Sequence, residues 1–307
     1  MEIQQQVMKT SITFFLLLML VQGNLFAQTP EGSNSDFSYF LGDISYSSDA
    51  VFMGRRDSIK APYVYSTLGY YNKSGFFGNA SASYLVSSGE QRIDLFLISA
   101  GYLFSGENLS AGLSGTKYFF NEESYNVQSE IEADITAMVG YDFKIAELTL
   151  SAATYFSGSS SPDLFASLIL DRTFYALDRQ LLIMPGVMVG AGTQYFYEEY
   201  YNTSRLGNRK TGGNGQGPGS GQGGSSITQV ETNNVAISEA SEFNILNIEA
   251  RLPLQYYHRS FIFSFTPVVA FPQTNASITT ESGVYKEDLE SVFYWSAGIS
   301  YWIKTGK

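Results

Sequence analysis

The chain has 307 residues, no cysteine and a formal net charge of −11. Without cysteine it is neither a disulfide-held scaffold nor a lipoprotein anchored through a modified cysteine, and an acidic chain with pI near 4.6 is no natural partner for nucleic acid. After an N-terminal apolar run no segment approaches 18 apolar residues, and the mean hydropathy is −0.06, which excludes a bundle of membrane helices.

The apolar run is ITFFLLLMLV, residues 12–21, preceded by Lys9 and followed by Leu25, Phe26 and Ala27. Ten residues are too few for a membrane helix and fit the core of a secretory leader. Residues 1–27 are therefore expected to be a signal peptide cut after Ala27, with translation starting at Met8 or Met1. Residues 28–42 are expected to be a periplasmic lead or an internal plug.

Beyond it, stretches of period-two alternation bounded by turn residues follow one another. The first are residues 43–55, 62–71, 76–86, 93–104 and 109–120. The sixth, SEIEADITAMVGYDF at 129–143, sets Glu130, Glu132, Asp134 and Asp142 on one side and Ile131, Ile135, Val139, Tyr141 and Phe143 on the other. Residues 148–158, 164–176 and 181–197 continue the pattern, and a polar insertion occupies 198–241. In 243–257, Leu246, Ile248, Ala250, Leu252, Leu254 and Tyr256 oppose Asn247, Glu249, Arg251 and Gln255. Residues 261–271 and 291–304 bring the count to twelve strands.

The connections sort by parity. Those after strands 2, 4, 6, 8 and 10 (NKSG, SGEN, KIAE, LDRQ and HRS) have three or four residues, whereas the others are mostly longer. Aromatics sort as well. Tyr70, Phe76, Tyr102, Phe104, Tyr141, Phe174, Phe261 and Tyr301 fall at the short-turn ends, and Phe52, Tyr63, Tyr84, Phe119, Phe156, Tyr195, Tyr197, Phe271 and Phe293 at the long-loop ends. Two aromatic belts around an aliphatic band are what a membrane imposes, and most of the strands reach the roughly 9–11 residues that a tilted crossing needs. The expected fold is all-β: one transmembrane, antiparallel, up-and-down β-barrel over residues 43–304, with both termini in the periplasm and 198–241 as a long extracellular loop.

In architecture, with its closing segment YWSAGISYWI and its leader ending LFAQ, the chain resembles the porin-like class of bacterial outer-membrane β-barrels, in a Bacteroidota-type form. The tail departs from a terminal aromatic, since Lys304–Lys307 follow Ile303. The resemblance implies outer-membrane lipid and lipopolysaccharide as surroundings and the barrel-assembly machinery as a partner during biogenesis. It carries no particular function with it.

Catalysis has little to stand on. The single histidine, His258, lies in a short turn on the expected periplasmic side, and no GxSxG, HExxH or P-loop pattern occurs. The glycine-rich stretch 207–224 neither follows a strand nor opens a helix, so it reads as a flexible linker rather than a nucleotide site; Arg205, Arg209 and Lys210 beside it could meet acidic sugars. No cofactor or metal is expected. The functional candidates are charged residues expected to line the lumen: Asp49, Glu130, Glu132, Asp134, Asp142, Glu249 and Arg251. Carboxylates along a pore concentrate cations. Twelve strands lie between the packed interior of eight and the open channel of about 16–18. A narrow passage for small polar or cationic solutes and a non-conducting surface barrel whose loops bind a partner or support the envelope therefore both remain open.

Overall fold

A computed structural model describes residues 37–56, 60–87, 91–158, 161–202, 236–280, 283–287 and 289–305. The leader, most of the lead before Ser38 and the glycine-rich part of the long insertion lie outside the described residues. The wall is a closed antiparallel barrel of twelve strands. These are β1 (Ser38–Ser47), β2 (Tyr63–Tyr71), β3 (Phe76–Val86), β4 (Gln91–Ser105), β5 (Leu109–Phe120), β6 (Ile131–Asp142) and β7 (Glu147–Ser157). There follow β8 (Asp163–Asp171, resumed at Phe174–Ala176), β9 (Leu181–Ile183, resumed at Gly186–Gly192), β10 (Asn244–Arg251, resumed at Leu254–His258), β11 (Phe261–Pro272) and β12 (Val292–Thr305). β1 closes the cylinder against β12, from Ser38 opposite Thr305 to Ser47 opposite Ser296. Closure leaves no free border along the wall, as hydrocarbon requires.

Each strand turns one row outward and one inward. Outward side chains such as Ile44, Leu68, Leu113 and Ile299 keep more than half of their surface exposed. Rows like these around a whole cylinder would aggregate in water and are stable against acyl chains. Outward aromatics stand at both ends, Phe76, Tyr102, Tyr141 and Tyr301 near the short turns and Tyr84, Phe119, Phe156 and Phe293 near the long loops. Five turns at one end have at most four residues.

The boundaries depart from the sequence expectation in three places. β1 starts at Ser38, inside the stretch assigned to a periplasmic lead, and ends at Ser47, so that 48–55 leave the wall. The ninth strand stops at Gly192, and Tyr195–Asn202 form the helix α1. Asp163 takes the backbone N–H of Tyr195 (2.8 Å) and of Phe196 (2.6 Å), which satisfies the first donors of that helix. The third departure is a set of bulges near the long-loop rim, where Asp94, Glu132 and Leu246 are the extra residues in β4, β6 and β10. A one-residue bulge reverses the facing of what lies beyond it. Ile131 and Leu246 consequently point inward, and Glu132 points outward.

Candidate functional site

The inner face is built in tiers. At mid-height, hydroxyls meet across strands: Thr67 with Ser81 (2.7 Å), Ser99 with Thr116 (3.0 Å) and Ser151 with Ser167 (2.8 Å). Each pair is directly opposite in register. Two carboxylates join this tier. Asp43 accepts from Ser45 (3.1 Å) and Ser300 (3.0 Å), and Asp134 from Thr136 (2.6 Å) and Tyr118 (2.8 Å). Below, on the side of β1–β6, Tyr39, Leu41, Tyr71, Phe77, Leu103 and Met138 form an apolar cluster, with the Tyr39 and Tyr71 rings stacked at 5.0 Å.

The upper tier is a stopper. Residues 48–55, read in the sequence as part of the first strand, leave the wall and, with 56 and 60–61, pack inside the barrel as a finger. Asp49 clasps its base, accepting from the N–H of Ala50 (3.0 Å) and Ala61 (3.0 Å) and from Arg56 Nη1 (2.7 Å). At the tip, Phe52 and Arg55 exchange two backbone hydrogen bonds around Met53 and Gly54, whose φ values are +48° and +77°. Two left-handed central residues make this a type I′ hairpin turn, for which glycine at the second position is suited. A Cβ on Gly54 would lie 2.9 Å from Asn247 Oδ1, and one on Gly190 2.9 Å from Met53 Sδ, so both glycines let the tip seat against the wall. Phe52 packs edge-on against Phe196 (5.1 Å), Phe165 (5.3 Å) and Tyr155 (6.1 Å).

Arg55 latches the finger. It is 1% exposed, and its Nη2 reaches Gln194 Oε1 (2.6 Å), the Thr274 carbonyl (2.7 Å) and Glu287 Oε2 (3.3 Å), while Cζ sits 4.9 Å from the centre of the Tyr197 ring. Glu287 also accepts from Tyr197 OH (2.6 Å) and from the N–H of Ala276 (3.0 Å). One carboxylate thus ties together the finger, α1 and the loop between β11 and β12. That loop adds a small sheet in which Ser277–Thr280 pairs with Gly283–Lys286 and with Ala236–Ile237. Removing one partner of such a buried ion pair costs about 3–5 kcal/mol. On the opposite side Asp94 accepts from Tyr63 OH (2.5 Å), Ser124 Oγ (2.6 Å) and Arg92 Nε (3.0 Å), which holds 121–130 inward. Phe52, Tyr63 and Tyr197, expected in the outer aromatic belt, are buried in this stopper instead.

Of the seven charged candidates, Asp134, Glu249 and Arg251 are buried on the inner face of the wall. Asp49 is buried too, as the clasp of the finger rather than as part of the wall. Glu130 is half-buried in the loop before β6, next to Ser129 Oγ at 3.3 Å. Glu132 is turned outward by the bulge and pairs with Lys117 (2.8 Å), with both side chains about half exposed. Asp142 lies at the short-turn rim, where it accepts from the Lys144 N–H (2.6 Å). Buried carboxylates that were not singled out include Asp43, Glu147 and Asp171 in the middle and lower lumen and Asp94, Asp163 and Glu287 in the upper tier. Asp171 was legible, because Leu168 and Leu170 face out and the residue after Leu170 must face in; Glu147 was hidden in an apparent turn. His258 ends β10 exposed, with its ring 6.5 Å from that of Tyr256.

No protein-family model matches the chain, and no curated protein matches it. Solved structures resemble it in outline. The KdgM porin is 8% identical, with a TM-score of 0.45 over 85% of this chain and 98% of its own. The NanC porin is 9% identical, with a TM-score of 0.44 over 85% and 98%. LpxR from Salmonella typhimurium is 10% identical, with a TM-score of 0.40 over 86% and 99%. By the closed wall, the outward apolar rows and the two aromatic belts described above, the chain is a transmembrane β-barrel of the outer-membrane class.

Proposed function

We propose that the protein is a narrow outer-membrane channel for small polar or cationic solutes, held shut at its outer mouth by the finger of residues 48–56 and 60–61. The observation that carries this reading is the contrast along one lumen. A tier of paired hydroxyls and carboxylates, suited to polar traffic, runs under a stopper whose centre is a separable finger, seated against inward wall residues, α1 and the loop between β11 and β12. In a barrel that needed only to be filled, wall residues could supply the packing. The short turns and both termini then lie in the periplasm and the long loops outside, amid outer-membrane lipid and lipopolysaccharide, after insertion by the barrel-assembly machinery. We read passage rather than catalysis, because the one histidine, His258, ends β10 exposed beside the Tyr256 ring at the short-turn rim.

Ser47 and Tyr63 are opposite each other in register, so a short Gly-Ser turn can replace most of the finger without moving β1 or β2. Reconstituted in planar bilayers, the wild-type barrel is expected to open rarely, and the shortened one to give discrete, ohmic conductance. Arg55→Ala, which strips the latch and leaves the buried Glu287 without its counter-charge, should raise the open fraction in between. A shortened barrel that keeps its heat-dependent gel shift yet stays silent would overturn the channel reading. It would leave the rival one, a non-conducting surface barrel whose loops bind a partner or support the envelope.

A further inference from the structure

Along one side of the lower lumen carboxylates face one another. Glu147 at the start of β7 and Asp171 on β8 are direct cross-strand partners, 3% and 9% exposed. Like charges directly opposite one another are unfavourable in a sheet, and desolvation adds to the cost. The next residue in that row is Gly186, followed by Arg251. A Cβ on Gly186 would lie 2.9 Å from Asp171 Cβ, so only glycine leaves room between the carboxylate and the guanidinium. Arg251 interacts electrostatically with both Asp171 and Glu249. One guanidinium is therefore shared by two carboxylates, Asp171 and Glu249.

A second observation is independent of the charge count. Thr149, fully buried on the inward row two residues above Glu147, has a hydroxyl with no hydrogen-bond partner among the described residues, and so does Asp171 Oδ1. Thr149 lies opposite Gly140 on β6, which contributes no side chain to fill the space before it. Hard oxygen donors without partners, beside two facing carboxylates, are what a small cation seeks. The absence of a metal-holding group of three such side chains among the described residues argues against tight chelation of a divalent ion. A passage also needs stations weak enough to be left again.

We propose that Glu147, Asp171 and Thr149 form a station for a small monovalent cation, an alkali ion or a primary ammonium, that sets the charge selectivity of the lumen. Arg251, across Gly186, limits how tightly the ion is held. The proposal rests on the channel reading for its role in selectivity, but not for the binding itself.

Two measurements separate them. In the shortened-finger barrel under a KCl gradient, Glu147→Gln or Asp171→Asn should lower the cation-to-anion permeability ratio by roughly tenfold, as loss of a focusing charge does. In the closed wild-type barrel in detergent, melting should occur at higher temperature in KCl than in N-methylglucamine chloride of equal ionic strength. Glu147→Gln should abolish that difference. Conductance with an unchanged permeability ratio overturns the station. Where no variant conducts, the channel reading fails and melting decides: a potassium effect lost in Glu147→Gln upholds the site, and no potassium effect overturns it, the two carboxylates then sharing a proton instead.

Discussion

The wall has two unlike halves. β2–β7 run without interruption, from 9 to 15 residues each, and their outward rows are Ile, Leu, Val, Ala and aromatic almost throughout. β8, β9 and β10 each break, and Pro185, Pro253 and Pro267 stand in neighbouring strands at the breaks. At each interface one ladder bond forms, Arg172 N–H to the Pro185 carbonyl (3.2 Å), Met184 N–H to Pro253 (2.9 Å) and Leu252 N–H to Pro267 (3.1 Å). The reciprocal bond cannot form, because proline has no N–H to donate. The turn joining β8 to β9 adds strain, with Leu177, Asp178 and Arg179 all left-handed at φ 51°, 53° and 67°. The stopper leans on this same side, Met53 against Gly190 of β9 and Gly54 against Asn247 of β10 and Pro272 of β11. So do Asp171, Glu249 and Arg251. The continuous half supplies anchorage in lipid and most of the hydroxyl tier, and the interrupted half seats the tip of the finger.

The sharpest way to break this comparison is to bring charge to the outer face. Leu113 lies outward in mid-membrane, opposite Ala137 of β6, and Leu113→Arg is expected to destabilise by about 2–4 kcal/mol. Leu170 lies at the level of Tyr141, close to the short-turn interface and two residues from the exposed Arg172, and Leu170→Arg should cost about 0–1 kcal/mol. Folding equilibria in lipid vesicles measure both; equal costs would mean that the depth assignment is wrong.

A smaller effect tests the interruption itself. Pro253→Ala returns a donor opposite the Met184 carbonyl, and one recovered hydrogen bond of about 1 kcal/mol should slow local amide exchange by roughly fivefold. Unchanged exchange would show that the half-bonded row is already as tight as β3 against β4. Least of all is expected from the outward pair of Lys117 and Glu132. Lys117→Ala should cost about 0–1 kcal/mol, and a salt titration should erase even that. A larger, salt-independent loss would place the pair in hydrocarbon instead of at the rim.

Much of the wall was legible before the structure. Period-two rows placed eleven of the crossings nearly in full and sent Ile135, Val139 and Tyr141 outward, because the alternation of a strand is a property of neighbouring residues. Facing went wrong at Glu132 and Leu246, where a bulge inserts one residue and no composition cue marks which of two strands bends. The first strand was misplaced because SDAVFMGR alternates as a wall strand does, yet the side chains it would have turned to lipid are taken up by Phe165, Phe196 and Gly190 inside.

By itself the sequence determined that twelve amphipathic ribbons cross a membrane, and that short turns gather at one end, because period, length and turn chemistry are local. The tertiary structure alone decided that the finger packs inside the long-loop end and which carboxylates meet in the lumen. Arg55 and Glu287 are 232 positions apart, and Asp171 reaches Arg251 only because the strand between them carries Gly186 in their row. Contacts of that kind depend on the closure and shear of the whole cylinder, which no stretch of ten residues encodes.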